Sequence, residues 1–285
     1  MITLVYAVIF VLLAPLIGGL LSGIDRKVTA HMQGRVGPSV FQPFYDVGKL
    51  FEKENAEVNG TQRFYVISYF VFAVFTGALF FAGGDLLLVV FALTLAEVFL
   101  VLGAYAAFSP YSHIGAEREL LQVMAYEPIM ILSAVGIYMV TGSFAVSDIL
   151  RYPMLLVILL PGIFLGFLYA LTIKLRKSPF DISTSHHAHQ EIVKGITTEF
   201  SGPNLGLIEV THWYELVFLL GFVFLFFAAN WILGIIAVII VFLLELFIDN
   251  TNARVKWQLA VKSTWAITLA VAIINLVVLA YVVGV

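Results

Sequence analysis

Residues 86–107 read LLLVVFALTLAEVFLVLGAYAA, a run in which Thr94 and Glu97 interrupt an otherwise apolar sequence. A helix needs about 20 consecutive apolar residues to cross the hydrocarbon core of a bilayer, and this run is long enough. Its apolar residues are continuous rather than alternating, which favours a helix over the strand of a membrane barrel. The run therefore predicts a transmembrane helix with a carboxylate near its middle.

The rest of the 285-residue chain has the same character, since 61% of its residues are hydrophobic and 12% are charged. A soluble domain is roughly half apolar and a quarter charged, so the excess predicts contact with lipid. We predict an all-α integral membrane protein with about eight transmembrane helices, forming a single transmembrane domain over residues 1–285. The runs that predict these helices are 4–24, 64–82, 86–107, 120–140, 154–173, 207–229, 231–248 and 264–283.

Basic residues lie almost entirely in alternate connections between these runs. Fourteen of the 15 Lys and Arg residues fall in the first, third, fifth and seventh loops, and Arg151 alone lies on the other side. The positive-inside rule then places these loops in the cytoplasm and both termini outside. The two long loops, residues 25–63 and 174–206, share the predicted cytoplasmic face, which favours docking of a partner there.

The first long loop contains a predicted amphipathic helix, residues 42–53, with the sequence QPFYDVGKLFEK. Its apolar residues recur at helical spacing and its charged residues fall on the opposite side: Phe44, Val47, Leu50 and Phe51 against Asp46, Lys49 and Lys53. We expect this helix to lie at the membrane interface, either within a docking surface or as a simple surface anchor.

Several carboxylates fall inside the predicted spans, where each costs about 2.5–3.5 kcal/mol at the bilayer centre. They are Glu97, Glu127, Glu209, Glu215 and Glu245, with His212 between two of them in the sixth run. The runs contain no Lys or Arg to pair with these groups, so we expect them to exchange protons and to form a proton path. The alternatives are that individual carboxylates only bond to neighbouring helices or, for Glu245, lie near the membrane surface.

The chain has no cysteine, which excludes disulfides, thiolate zinc sites and cysteine-ligated iron–sulfur clusters within it. His186, His187 and His189 form a cluster in the fifth loop, but near-adjacent loop histidines do not easily converge on one metal ion. A polar, pH-responsive loop is favoured over a metal site. We therefore expect no metal, cofactor or redox centre in this chain, and no binding to nucleic acid.

Four loop motifs resemble the H subunit of respiratory complex I, the mitochondrial subunit 1. The first, at residues 33–54, reads QGRVGPSVFQPFYDVGKLFEKE and carries the Arg-x-Gly-Pro, Gln-Pro, Lys-Leu and Lys-Glu elements of that family. The second, at residues 114–127, reads IGAERELLQVMAYE. The third comprises Pro179 to Asp181, Glu191, Gly195 and Glu199 to Gly202, and the fourth comprises Asn252 to Lys256.

The details favour one branch of this group. The stretch between Gly-Pro and Gln-Pro is shorter than in complex I and resembles the homologous subunit of group 4 membrane-bound [NiFe]-hydrogenases. His212 replaces a family glutamate, and the histidine-rich run replaces family carboxylates. The resemblance implies a non-catalytic membrane subunit that links a cytoplasmic redox arm to antiporter-like, ion-translocating subunits. The [NiFe] centre and iron–sulfur clusters would belong to the redox arm.

The resemblance also implies roles for particular residues. The predicted interface with the redox arm comprises Arg35, Gln42, Asp46, Lys49, Arg118 and Asp181. The predicted proton path comprises Glu97, Glu127, Glu191, Glu199, Glu209, His212, Glu215 and Glu245. This chain is expected in the cell membrane. Its expected partners are hydrogenase-like large and small subunits in the redox arm, and antiporter-like and small subunits in the membrane.

A purely structural membrane anchor with no role in ion movement is one alternative, and three other interpretations stay open. One is the quinone-binding H subunit of a respiratory complex I, and a second is the same subunit in a sulfur-reducing, formate-linked or CO-linked relative. The third, from another class, is a stand-alone secondary transporter. Many such transporters are built from repeats, and no repeat is visible between the two halves of this sequence, which counts against the third interpretation.

Overall fold

The computed structural model describes residues 2–54, 56, 60–180, 183 and 194–283, and no strand occurs among them. The helices are α1 (Ile2–Met32), α2 (Gln42–Glu52), α3 (Gly60–Phe81), α4 (Leu86–Tyr105), α5 (Pro110–Thr141), α6 (Val146–Ile149), α7 (Leu156–Leu159), α8 (Pro161–Lys174), α9 (Gly202–Leu225), α10 (Trp231–Thr251), α11 (Trp257–Thr264) and α12 (Ala270–Val283). A π-helical turn, Trp265–Leu269, joins the last two. The predicted all-α fold class is therefore confirmed.

Within the described residues, seven helical segments are long and apolar enough to cross a membrane: α1, α3, α4, α5, α9, α10 and the continuous α11–α12 segment. The predicted fifth span, residues 154–173, is instead a broken segment in which α7 and α8 meet at Leu160. Helix α8 is apolar but shorter than the seven membrane-crossing segments. The chain is thus a multi-pass membrane protein. The count of eight spans stays a prediction, because α8 alone has 14 residues.

The break between α7 and α8 is held together by Asn275 of α12. Pro161 occupies the first position of α8, where the next amide groups have no partner in the preceding turn. The Asn275 side-chain oxygen accepts hydrogen bonds from the amides of Gly162 (3.0 Å) and Ile163 (3.1 Å). Its amide nitrogen donates to the carbonyl oxygen of Leu159 at 3.2 Å. One side chain therefore satisfies backbone groups on both sides of the break.

Helix α5 begins at Pro110, ten residues before the apolar run that predicted it. Its first turns pack against the fifth loop where that loop returns to α9. A Cβ atom on Gly115 would lie 2.3 Å from the amide nitrogen of Ile196, so glycine is what allows this close approach. Gln122 donates a hydrogen bond to the carbonyl oxygen of Phe180, near the other described end of the loop. Helix α5 therefore contacts the fifth loop at two places, Phe180 and Ile196.

Aromatic side chains fill the interior near the last turns of α3 and α9. Phe167 of α8 stacks on Phe222 of α9 with ring centroids 4.8 Å apart. Phe80 of α3 meets Phe218 of α9 edge-on at 5.3 Å. All four rings are nearly inaccessible to solvent. Seven residues beyond Phe167, at the end of α8, the interior changes from apolar to charged.

The predicted amphipathic helix exists as α2, and its apolar side is partly covered by protein. Val47 is buried, and the ring of Phe44 lies 5.2 Å from that of Trp213 on α9. A Cβ atom on Gly19 of α1 would touch the same Phe44 ring, which shows how closely α2 approaches α1. Docking on α1 and α9 therefore accounts for the amphipathic pattern, and a position at the membrane interface stays a prediction.

Candidate functional site

Five charged side chains from four parts of the fold meet in the interior where α8 ends. They are Glu97 of α4, Glu119 of α5, Lys174 at the end of α8, Arg176 just beyond it, and Glu215 of α9. Every one of these residues has a relative exposure of 9% or less, and Glu97 has none. Buried charges persist in proteins only when they are paired and hydrogen-bonded, so this group is a single electrostatic unit, called the charge cluster below.

The Arg176 guanidinium contacts three side chains, those of Glu119, Glu97 and His212. Its Nη2 lies 2.8 Å from Oε1 of Glu119 and 3.4 Å from Oε2 of Glu97, while its Nη1 lies 2.6 Å from Nε2 of His212. An arginine guanidinium does not lose its proton in proteins, and this one lies between two carboxylates. The side chain is therefore a fixed positive charge.

The backbone at Arg176 is in the left-handed region, with φ 52°, which is unfavourable for a side chain other than glycine or asparagine. This conformation turns the chain at the end of α8, and the backbone amide of Arg176 still donates to the carbonyl oxygen of Ile173 at 2.9 Å. The guanidinium contacts to Glu97 and Glu119 offset the backbone cost. The turn thus brings a loop residue into the interior.

Lys174 joins the carboxylates of two helices. Its Nζ contacts Oε1 of Glu97 and lies 3.3 Å from Oε1 of Glu215. The same Nζ lies 5.7 Å from the centre of the Tyr126 ring, within cation–π range. The ring of Tyr69 meets that of His212 edge-on at 6.3 Å, so aromatic side chains cover the cluster on two sides.

The expectation that the span carboxylates have no basic partner is therefore wrong for Glu97 and Glu215. Lys174 and Arg176 stand at the polar edge of the predicted fifth span, where the positive-inside rule treats them as cytoplasmic loop residues. The structure turns both inward, because Glu97, Glu119 and Glu215 together supply enough negative charge to offset their desolvation.

A second group of charges lies nearer the loops. Lys177 Nζ contacts Asp25 of α1 and lies 3.1 Å from Oδ2 of Asp249 of α10. The backbone amide of Ser178 donates to Oδ1 of Asp249 at 2.8 Å. Burial lowers the pKa of Lys177, but the two carboxylates outweigh it and raise the pKa above its ordinary value. This group ties the fifth loop to α1 and α10.

A cavity of about 760 Å³ connects the two groups of charges. Its walls come from α1, α9, α10, the start of the first loop with Arg35, and the described ends of the fifth and seventh loops. Among the residues that the structure describes, 27 line the cavity and twelve of these are Asp, Glu, Lys or Arg, so the space is suited to water and ions. Lys174, Arg176 and Glu215 reach it from the charge cluster, whereas Glu97 and Glu119 do not line it.

The structure brings together part of the predicted proton path. Two of its residues, Glu97 and Glu215, belong to the charge cluster, and His212 contacts the cluster through Arg176. Glu209 lines the cavity one turn from His212. Glu245 lines the opposite wall, where it is 1% exposed and accepts a hydrogen bond from Thr172 at 3.3 Å.

The other predicted path residues lie apart or outside the described part of the chain. Glu127 is half-buried beside Pro128 and accepts a hydrogen bond from Thr94 of α4 at 3.1 Å. Glu199 is half-buried at the end of the fifth loop, and its backbone carbonyl accepts from Gln62 of α3 at 3.4 Å. Glu191, Asp181 and the histidine cluster of His186, His187 and His189 fall outside the described residues.

The predicted interface residues of the first loop lie around α2. Gln42 donates to Oδ1 of Asp46 at 3.0 Å, and Arg26 of α1 pairs with Oδ2 of Asp46 at 2.6 Å. Partial burial raises the pKa of Asp46, but the hydrogen bonds from Arg26 and Gln42 outweigh it and hold the pKa below its ordinary value. Arg35 and Lys49 are exposed, and Arg118 of α5 is half-exposed.

Sequence reasoning missed Glu119, Lys174 and Arg176 as members of the site. Glu119 precedes the apolar run that predicted its helix, and the two basic residues follow another. A signal was nevertheless present. Buried carboxylates require counter-charges, and Lys174 directly follows the predicted span 154–173.

The sequence and the fold both match known membrane proteins. The chain is 28% identical to hydrogenase-4 component C of Escherichia coli, with 92% of this chain and 90% of the relative covered. It is 31% identical to the H subunit of NADH-quinone oxidoreductase from Helicobacter acinonychis, with 96% and 95% covered. A chain in the structure of the membrane-bound sulfane sulfur reductase, an archaeal respiratory membrane complex, superimposes with a TM-score of 0.87 at 25% identity, covering 98% of this chain and all of that one.

These matches agree with the loop motifs from which the resemblance was first inferred. The sequence pattern of one family, described as NADH dehydrogenase, matches residues 4–280, which is nearly the full length. The chain therefore belongs to the NADH dehydrogenase family, the family of the complex I H subunit.

Proposed function

We propose that this chain couples redox chemistry in a peripheral arm to ion movement through neighbouring membrane subunits. The observation that carries the proposal is the buried charge cluster of Glu97, Glu119, Lys174, Arg176 and Glu215 beside a polar cavity. Ionisable residues at membrane depth are costly, face the protein interior and mark ion and proton pathways. A purely structural membrane anchor has no need of three buried carboxylates.

The proposed proton path begins at the loops and leads into the interior. The cavity gives protons access to Glu209, His212 and Glu215, and the charge cluster then connects Glu215 to the deeper Glu97. Glu245 is reached from the opposite wall of the cavity. In this proposal Glu191 and Glu199 supply protons from the fifth loop, and Glu127 continues the path beyond the cluster.

The partners follow from the relatives and from the chemistry that this chain lacks. Relatives are named as components of a hydrogenase and of NADH-quinone oxidoreductase, and a similar chain is part of a respiratory membrane complex. With no cysteine in this chain, we place the [NiFe] centre and iron–sulfur clusters in hydrogenase-like large and small subunits. Antiporter-like and small membrane subunits would complete the complex within the cell membrane.

The long loops, residues 25–63 and 174–206, would face the cytoplasm and dock the redox arm. The proposed contacts are Arg35, Gln42, Asp46, Lys49, Arg118 and Asp181. The exposed positions of Arg35 and Lys49 beside α2 support this assignment, since each is accessible to a partner.

The charged part of the cavity lining supports this function over the quinone-binding alternative. Pockets for small apolar ligands are lined mainly by hydrophobic and aromatic side chains. Twelve of the 27 residues that line this cavity are charged, which favours ions and water over an apolar ring and tail. The second candidate is the same coupling role with a sulfur-reducing arm, which the likeness to a sulfane sulfur reductase chain favours.

Replacing Glu127 or Glu209 with glutamine tests the path in the intact complex. We expect each variant to lower ion translocation per redox turnover by about tenfold or more, because the amide cannot relay a proton. The measurement uses proteoliposomes energised with reduced methyl viologen, an internal pH dye for H⁺ and ²²Na for Na⁺. The matched control is Glu117→Gln, at an exposed position on the helix of Glu127. Unchanged translocation in both path variants would contradict the path.

Purification of this chain from its native membrane in mild detergent tests the partners. We expect a hydrogenase-like large subunit to co-purify, together with nickel and iron in the same fraction. Bound quinone with NADH-type partners would instead assign the chain to a complex I. A single metal-free protein that transports ions alone would show that the coupling role is wrong.

A further inference from the structure

Lys174 occupies a position between two carboxylates that differ in their access to water. Glu215, on one side, lines the cavity, whereas Glu97, on the other, does not line it and has no exposed surface. Lys174 itself lines the cavity and contacts both. A proton that reaches Glu215 from the cavity therefore meets the Lys174 amine before it meets Glu97.

Two cations contact Glu97, and their chemistry differs. Arg176 does not lose its proton in proteins, and its guanidinium is held by Glu119 and His212. A buried lysine can lose its proton, and its ammonium rotates on a flexible four-carbon stem. Of the two, Lys174 is the group that can pass a proton to Glu97.

The charge balance of the cluster leaves room for one exchangeable proton. Arg176 has only donors, so His212 accepts at Nε2 with a neutral ring while this contact is made. Three carboxylates then face two cations, Lys174 and Arg176, which gives a net charge of −1 when all five are ionised. A buried group with an uncompensated negative charge gains stability by binding one proton.

We propose that Lys174 is the proton-transfer residue between Glu215 and Glu97, a step that rests on the proposed coupling function. The Lys174 ammonium donates a proton to the Glu97 carboxylate, leaving a neutral amine and a carboxylic acid. The amine then accepts a proton from Glu215, which has already taken one from water in the cavity. Lys174 returns to the ammonium form, Glu215 returns to the carboxylate form, and one proton has moved from Glu215 to Glu97.

The test replaces Lys174 with arginine, which keeps the positive charge but does not release its proton. We expect Lys174→Arg complexes to assemble and turn over, with H⁺ translocation per turnover lowered about tenfold or more. The assay is the proteoliposome assay with reduced methyl viologen and an internal pH dye. The matched control is Lys262→Arg, the same change at an exposed lysine of α11 that does not line the cavity. Complexes with this control change should keep the wild-type H⁺ translocation per turnover.

A second variant keeps the proposal testable if Lys174→Arg does not assemble. The double change Glu119→Gln with Lys174→Gln removes one negative and one positive charge, so the net charge of the cluster is preserved and both Glu97 and Glu215 remain. Loss of translocation in this variant supports the relay, and translocation near the wild-type level in either variant overturns it. If Glu209→Gln blocks translocation while Lys174→Arg does not, the coupling function stands and only the relay is wrong.

Discussion

Replacing Arg176 with methionine is expected to destabilise the folded chain by about 3–5 kcal/mol, the usual result of removing one partner from a buried ion pair. Glu119 would lose its hydrogen bonds at 2.8 and 3.3 Å, and Glu97 would keep Lys174 alone. Methionine preserves much of the side-chain volume, so the effect would arise from charge rather than from a void. The left-handed backbone at this position adds to the loss once the guanidinium contacts that hold it are gone.

The measurement is the apparent Tm of the purified complex in detergent, which we expect to fall by about 10 °C. Arg151→Met is the control, because Arg151 is exposed in a short connection away from the charge cluster. Addition of Glu119→Gln to the Arg176 variant should recover part of the loss, since the unpaired carboxylate would then be neutral. An unchanged Tm in Arg176→Met would show that the cluster does not contribute to stability.

Replacing Asn275 with leucine is expected to cost about 3–6 kcal/mol, because it removes the partners of two amides and one carbonyl at the break before α8. In lipid there is no water to replace them. Leucine is close to asparagine in size, so packing against Gly162 changes little. Unfolding should begin at α8, and ion translocation should fall together with stability because Lys174 ends that helix.

Hydrogen exchange measured by mass spectrometry distinguishes a local effect from a global one. Peptides that cover residues 156–174 should exchange faster in Asn275→Leu than in the wild type, whereas peptides from α4 should keep most of their protection. Val277→Leu, an exposed change on the same helix, is the control. Equal exchange in the variant and the wild type would show that the break is stable without Asn275.

The helical architecture could be predicted from the sequence because hydropathy is a local property. Each of the seven long membrane helices overlaps a predicted run, although α5 begins ten residues earlier than its run. Those first turns of α5 contain Glu117, Arg118 and Glu119, which a hydropathy window scores as loop. The broken fifth span could not be foreseen from composition, since the partner of its backbone groups, Asn275, lies 113 residues from Gly162.

Only part of the candidate site could be predicted, because its contacts join residues that are far apart in the sequence. Glu97 and Glu215 stand out as charges inside apolar runs, so they are recognisable without a structure. Their partner Lys174 lies 77 residues from Glu97, and no local pattern connects the two. The rule that assigns basic residues to cytoplasmic loops is statistical, and it does not account for the free energy that three buried carboxylates gain from a cation.

The capping of α8 by Asn275 implies that the order of folding in the membrane differs from the order of synthesis. The ribosome completes residues 156–174 long before residue 275, yet α8 has 14 residues, fewer than the approximately 20 that a helix needs to remain inserted alone. The insertion machinery must therefore retain this segment, or leave it at the membrane surface, until α12 arrives. Lys174 would then reach Glu97 late in biogenesis, so the charges of the cluster would become desolvated only when their partners are already in place.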